Sequence, residues 1–221
     1  MRKEHTFKTF DEELKRLDSA VLEMGRNAYS QLSAAKEVLI HANENLPHEA
    51  AEKYSMVNLL GEEVDAFTIR LLALRQPMAG DLRWIVAALR ISVDLERVAD
   101  YAANITRRIF DLENLPSNKA SERLRLMIEA VQLMLKGAME AYEEKNSEKA
   151  MDVWLHDSEV DEHHHSLLRE LRQSMIEDCG QIDMCTHLLF VSKYIERMGD
   201  HLVNVAEHVY FMVKGFPLRR D

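Results

Sequence analysis

Glycine and proline are scarce in this chain, with seven and four among 221 residues, where an average chain carries roughly 12% of the two together. So few breakers leave little room for the tight turns of a β-sandwich or barrel, and what remains is long helices. Cysteine is scarce too. Cys179 and Cys185 stand six apart with no second pair, which excludes a four-thiolate zinc site and gives no disulfide framework. Long apolar runs are missing. The longest stretch free of charge runs from about Met184 to Ser192, far short of the roughly 20 residues a membrane-spanning helix needs. A concentrated basic stripe is also absent, because Lys and Arg are scattered and the net charge is -10; nucleic acid is therefore not an expected partner. The charged start, Met1-Arg2-Lys3-Glu4-His5, lacks the apolar segment of a signal peptide, and the expected location is the cytoplasm.

What is present is periodicity. From Phe10, apolar residues recur at Leu14, Leu17, Val21, Met24, Ala28, Leu32, Ala35 and Leu39, in steps of three and four that define one buried stripe on a long helix. A second run goes from about Glu49 to Arg75 and stops at Gln76-Pro77. Asp81 opens a third, with Ile85, Ala88, Ser92, Leu95, Ala99, Ala102 and Ile105 in the same rhythm. Leu115-Pro116-Ser117-Asn118 reads as a loop, and three more helices follow at about 120–144, 147–177 and 182–214, with Gly180 and Gly215 as stops. No segment alternates polar and apolar over a strand's length.

Three helices, a break and three more point to duplication. At an offset of 100, Leu89, Ser92, Glu96, Arg97, Asp100 and Asn104 are matched by Leu189, Ser192, Glu196, Arg197, Asp200 and Asn204. A shared helical period would produce apolar matches, but not Glu-Arg-x-x-Asp-x-x-x-Asn twice. The expected fold is all-α, two tandem antiparallel three-helix bundles related by internal duplication, over 1–115 and 116–221.

Glu96 and Asp100, like Glu196 and Asp200, are four apart and share a helix face one turn apart. Two such carboxylates repel by roughly 0.2–0.5 kcal/mol on an exposed helix. Arg97 and Arg197 can offset this locally. The other offset is a bound cation, for which adjacent carboxylates are hard-oxygen ligands. On the fifth helix, Asp157, Asp161 and His165 form a stripe that complements Glu196 and Asp200, while His163 and His164 are expected to face solvent. The corresponding place in the first half holds Tyr54 and Asn58, with Glu62, Glu63 and Asp65 further along; the second half is expected to bind metal better. Glu162-x-x-His165 occurs once, whereas di-iron carboxylate enzymes use that motif twice, which disfavours oxygen-activating chemistry. No phosphate-cradling loop, nucleophile elbow or Cys with an evident base partner is found. Trp84, Trp154 and the twelve methionines are most simply core residues.

Leu71-Leu72-Ala73-Leu74-Arg75-Gln76-Pro77, Asp81-Leu82-Arg83 and Leu95-Glu96-Arg97-Val98-Ala99-Asp100 closely resemble the first repeat of the PhoU family of bacterial phosphate-signalling accessory proteins. The second repeat is similar through Leu168-Arg169-Glu170-Leu171, Met175-Ile176-Glu177-Asp178, Ile195-Glu196-Arg197-Met198-Gly199-Asp200-His201 and Asn204-Val205-Ala206-Glu207. Phe10-Asp11-Glu12-Glu13-Leu14 and Met24-Gly25 also fit. The resemblance implies a cytoplasmic, often dimeric regulator that changes no bond itself. It implies action on the ATPase subunit of the phosphate-specific ABC transporter and on the sensor histidine kinase of the phosphate regulon, damping both when phosphate is plentiful. It also implies divalent or trivalent metal ions, including multinuclear iron clusters. Carried over by position, their ligands are Glu96 and Asp100, Glu196 and Asp200, and Asp157 and Asp161. The departure is at Tyr54, where an acidic residue is common. A metal-dependent helical enzyme of the di-iron type and a metal-free helical scaffold are the competing readings.

Overall fold

The structure, a computed structural model, describes residues 2–40, 46–110, 112 and 119–218, with the side chains of 2–8 and 46–54 outside the description. It is all-α. Helices α1 (Arg2–Ile40), α2 (Leu46–Arg75) and α3 (Ala79–Phe110) form one bundle; α4 (Lys119–Glu144), α5 (Ser147–Glu177) and α6 (Ile182–Lys214) form the other. No strand occurs among the described residues. The expected boundary at 115 and 116 falls outside the described residues, as does the side chain of Tyr54.

The stripes read from the sequence are the ones that pack. Leu14, Leu17, Val21, Met24, Ala28, Leu32, Ala35 and Leu39 of α1 are all buried, as are Ile85, Ala88, Ser92, Leu95, Ala99, Ala102 and Ile105 of α3. Capping sets the ends. Asn146 takes an extended backbone and its side chain accepts from the N–H groups of Glu148 and Lys149, at 2.9 and 3.2 Å, which starts α5. At the other end of α5, the Asp178 carboxylate accepts from the Gly180 N–H at 2.9 Å and turns the chain through a short 3₁₀ segment, Cys179–Gln181, into α6. Arg75 ties the end of α2 back to α1 through Glu13, at 2.7 and 3.0 Å.

The two bundles share one continuous apolar core. The repeats meet along α3 against α6 as extensively as helices do within a repeat, and α1 also packs on α4. Both crossings are antiparallel. Asp94 meets His201 while Arg108 meets Phe190 across the first, and Asp18 meets Tyr142 while Lys36 meets Glu129 across the second. The outer helices, α2 and α5, are left at the flanks, each lying against the acid-bearing face of its own third helix.

Candidate functional site

In the first repeat, Glu96 of α3 lies directly on α2 at Gly61, where a Cβ would collide with its carboxylate. Glycine is what lets the acid reach that far across. Burial raises the Glu96 carboxyl above the ordinary glutamate range, and the neighbouring charges of Asp65, Asp100 and Glu62 add to the rise against an opposing pull from Arg97. Asp100 accepts from Arg97 at 3.2 Å. Of the acids expected to stand in for the missing pair, Glu62 and Asp65 thus act on Glu96, whereas Glu63 turns to α1 and pairs with Arg16.

The second repeat has a similar arrangement. Buried Asp157 of α5 points at Gly199 of α6, its Oδ1 only 2.8 Å from where a Cβ would stand. Burial raises the Asp200 carboxyl, with Glu196 and Asp161 adding to the effect and Arg197 and Lys193 opposing it. Here local cations are in place. Lys193 Nζ donates to Glu196 Oε1 at 2.6 Å and lies as close to Oε2, and Arg197 reaches Asp200 at 3.3 Å. The matched position to Lys193 in the first repeat is Val93, so Glu96 has no such ammonium one turn behind it. The structure brings Asp161, Glu196 and Asp200 into one electrostatic neighbourhood and lays Asp157 on the same helix pair. Glu96 and Asp100 are brought together on α3. Among the described residues, no group of three or more His, Cys, Asp or Glu side chains is placed to hold a metal ion.

Two histidine expectations are corrected. His164, expected in solvent, is 8% exposed, with its Nδ1 2.6 Å from the Ser192 hydroxyl on α6. His165, expected to continue the stripe of Asp157 and Asp161, is exposed, its Nδ1 on the backbone oxygen of Asp161. The reason is angular. At about 100° per residue, a position seven after Asp157 is only about 20° off its face, while one eight after is about 80° off. Burial lowers the His164 pKa, against the pull of Glu196. A neutral buried imidazole loses stability as pH falls through the ordinary value of 6.5 toward its own lower one. Denaturation midpoints compared at about pH 8 and about pH 5 should fall further for the native chain than for His164→Gln.

Two polar nodes between the packed helices, one on buried Asp94 and one on half-buried Asp18, carry no motif. Asp94 of α3 accepts from Asn204 at 3.2 Å and lies 2.8 Å from His201 Nδ1 and 3.4 Å from His208 Nε2, all on α6. Burial raises the Asp94 carboxyl, but the contacts with His201, His208 and Asn204 outweigh it and hold the group below the usual aspartate range. Asp18 of α1 accepts from Trp84 Nε1 at 2.6 Å and from the Tyr142 hydroxyl at 2.7 Å. The available signal is a charge inside an apolar stripe. Asp94 stands three after Ile91 and four before Val98, and Asp18 stands four after Leu14 and three before Val21.

The fold and these faces define a duplicated six-helix protein, each repeat carrying acids where its outer helix meets its third. A family model described as the PhoU domain matches residues 21–109 and 124–209. The chain belongs to the PhoU family. It is 41% identical over 96% of its length to a phosphate-specific transport system accessory protein PhoU homolog of Zymomonas mobilis, covering 89% of that protein. It is 40% identical to the homolog of the same description from Caulobacter vibrioides, over 96% of this chain and 93% of the relative. The crystal structure of PhoU from Pseudomonas aeruginosa superposes with a TM-score of 0.90 at 33% identity, over 94% of this chain and all of that one.

Proposed function

We propose that this chain regulates phosphate transport, restraining the phosphate ABC transporter through its ATPase subunit and the phosphate-regulon histidine kinase when phosphate is plentiful. The observation that carries this reading is the family match across both repeats, together with relatives described as accessory to the phosphate-specific transport system. The chain acts in the cytoplasm, as a homodimer, by binding, and changes no bond. Among the described residues no helix is long and apolar enough to cross a membrane, and in this reading the transporter is met at its soluble face. Cells lacking the gene should take up more phosphate and express the regulon in phosphate-rich medium, and the wild-type chain should restore repression. Restoration of neither would end this reading. A pull-down from cells grown at high and low phosphate should recover the transporter ATPase or the kinase.

In the same reading a hard cation bridges the helices of each repeat, held by Glu96 and Asp100 in the first and by Asp157, Asp161, Glu196 and Asp200 in the second. What supports this is the donor type, carboxylate oxygens suited to a hard cation, together with the like charges that add to the effect of burial at Glu96 and Asp200; as the side chains stand, no three of them converge on one point among the described residues. Such an ion supplies charge neutralisation between helices that would otherwise repel. Elemental analysis after anaerobic purification should find less metal in Glu196→Ala with Asp200→Ala than in the native chain. Gly61→Ala is the sharper variant. The colliding atoms are the far end of a flexible side chain, so the melting temperature should move little while metal held at the first repeat is lost.

The Arg97–Asp100, Arg197–Asp200 and Lys193–Glu196 pairs favour a second reading, a metal-free scaffold whose acids are satisfied within their own helices. A chelator then leaves the melting temperature unchanged, whereas a bound ion stabilises by mass action.

A further inference from the structure

The α3/α6 seam is built on a seven-residue step, with Asp94, Tyr101 and Arg108 on one helix and Tyr194, His201 and His208 on the other. These are the same repeat positions, because an offset of 100 maps 94 onto 194, 101 onto 201 and 108 onto 208. Duplication would make the two ends of the seam alike. They are not. At one end buried Asp94 is held by Asn204, His201 and His208. At the other, Tyr194 takes the place of the aspartate, stacks on Tyr101 with ring centroids 5.7 Å apart, and lies under the Arg108 guanidinium at 6.0 Å. Arg108 also sits 4.2 Å over the Phe190 ring.

These two ends differ in what they demand geometrically. A hydrogen bond weakens steeply as its distance and angle depart from a narrow range. A buried carboxylate that loses its donors is left desolvated without compensation. Stacked rings and a cation over a ring tolerate offsets, since centroids anywhere between about 4.5 and 7 Å remain favourable. A single buried polar group at one layer of a helical seam is also the best-attested way to hold one register against neighbouring ones. Sliding α6 by one heptad would carry Asn204 away from Asp94 and leave only one of the two histidines beside it, with Tyr194 and Arg197, or Phe211 and Gly215, in place of its other partners.

We propose that Asp94 is the register key of the inter-repeat seam, fixing how the two bundles are set against each other, while the tyrosine end of the seam is the adjustable end. The device is independent of any metal, and of which partner the protein binds. It makes the relative orientation of the two acid-bearing faces depend on three polar side chains carried by one helix, α6.

The test is a distance measurement between the repeats in the full chain. Spin labels are placed at Ala66→Cys on α2 and Glu159→Cys on α5, both exposed, with Cys179 and Cys185 replaced by alanine. The native sequence should give one narrow distance. Asp94→Leu, similar in size and unable to accept hydrogen bonds, should keep its helix content and give a broadened or double distribution. Tyr194→Leu should stay narrow. A native-like narrow distance in helical Asp94→Leu overturns the proposal, and so does broadening in Tyr194→Leu equal to that in Asp94→Leu. If Asp94→Leu does not fold, the two histidines are removed instead by His201→Leu with His208→Leu, which cannot hydrogen-bond to the carboxylate. Broadening there supports the key, and a native-like distribution overturns it.

Discussion

Asp18→Ala should melt well below the native protein, because it strands two donors at once. The Tyr142 hydroxyl and Trp84 Nε1 both end on Asp18 Oδ1, at 2.7 and 2.6 Å, and Tyr142 is only 2% exposed. A buried donor left unsatisfied costs about 1–3 kcal/mol. For a chain of this size each kcal/mol moves the melting temperature by about 2–4 °C. Asp18→Asn should behave differently, since its carbonyl oxygen still accepts from both groups and only the charge is gone. Burial raises the Asp18 carboxyl above the ordinary aspartate value, and the contacts with Tyr142, Trp84 and Lys145 only partly offset this. An acid whose folded pKa lies above its unfolded one stabilises fully at low pH and loses that contribution as pH rises from the unfolded value through the folded one. The native chain should therefore lose ground to Asp18→Asn as pH is raised from the acid range to neutrality. Melting curves of the three proteins at both ends of that window decide it. Equal stability of Asp18→Ala and Asp18→Asn would mean that the two donors find other partners.

Leu202→Ala should cost about 2–5 kcal/mol, the range for emptying a fully buried leucine site, while Leu133→Ala should stay within about 0.5 kcal/mol. Leu202 has no exposed surface and sits on α6, the helix that packs against α3, α4 and α5 together. Leu133 is 69% exposed on α4. Chemical denaturation with equal slopes for the two variants is the measurement. A loss at Leu133 as large as that at Leu202 would mean that its face is covered in solution.

The helical stripes and the duplication are legible in the sequence because both are local. A residue's face follows from its position in a 3.6-residue turn, and the copy of Glu-Arg-x-x-Asp-x-x-x-Asn is visible without any contact. The acids of the candidate site are legible for the same reason. Their surroundings are not. That Gly61 admits the Glu96 carboxylate depends on how closely α2 approaches α3. That Glu62 and Asp65 act on Glu96 while Glu63 goes to Arg16 depends on the rotation of α2 about its axis. His164 and His165 show the limit of counting. A stripe drawn in steps of four drifts off the face that the packed helix follows in steps of three and four.

By itself, then, the sequence determined six amphipathic helices, their grouping into two copies and the placing of paired acids on the third helix of each. The tertiary structure alone decided that the copies lie antiparallel along α3 and α6, with a carboxylate keyed into one end of the seam and tyrosines at the other. The physical reason is that periodicity specifies which face of a helix is buried, whereas the partner of that face is chosen by shape and hydrogen bonding across a distance in chain of about a hundred residues.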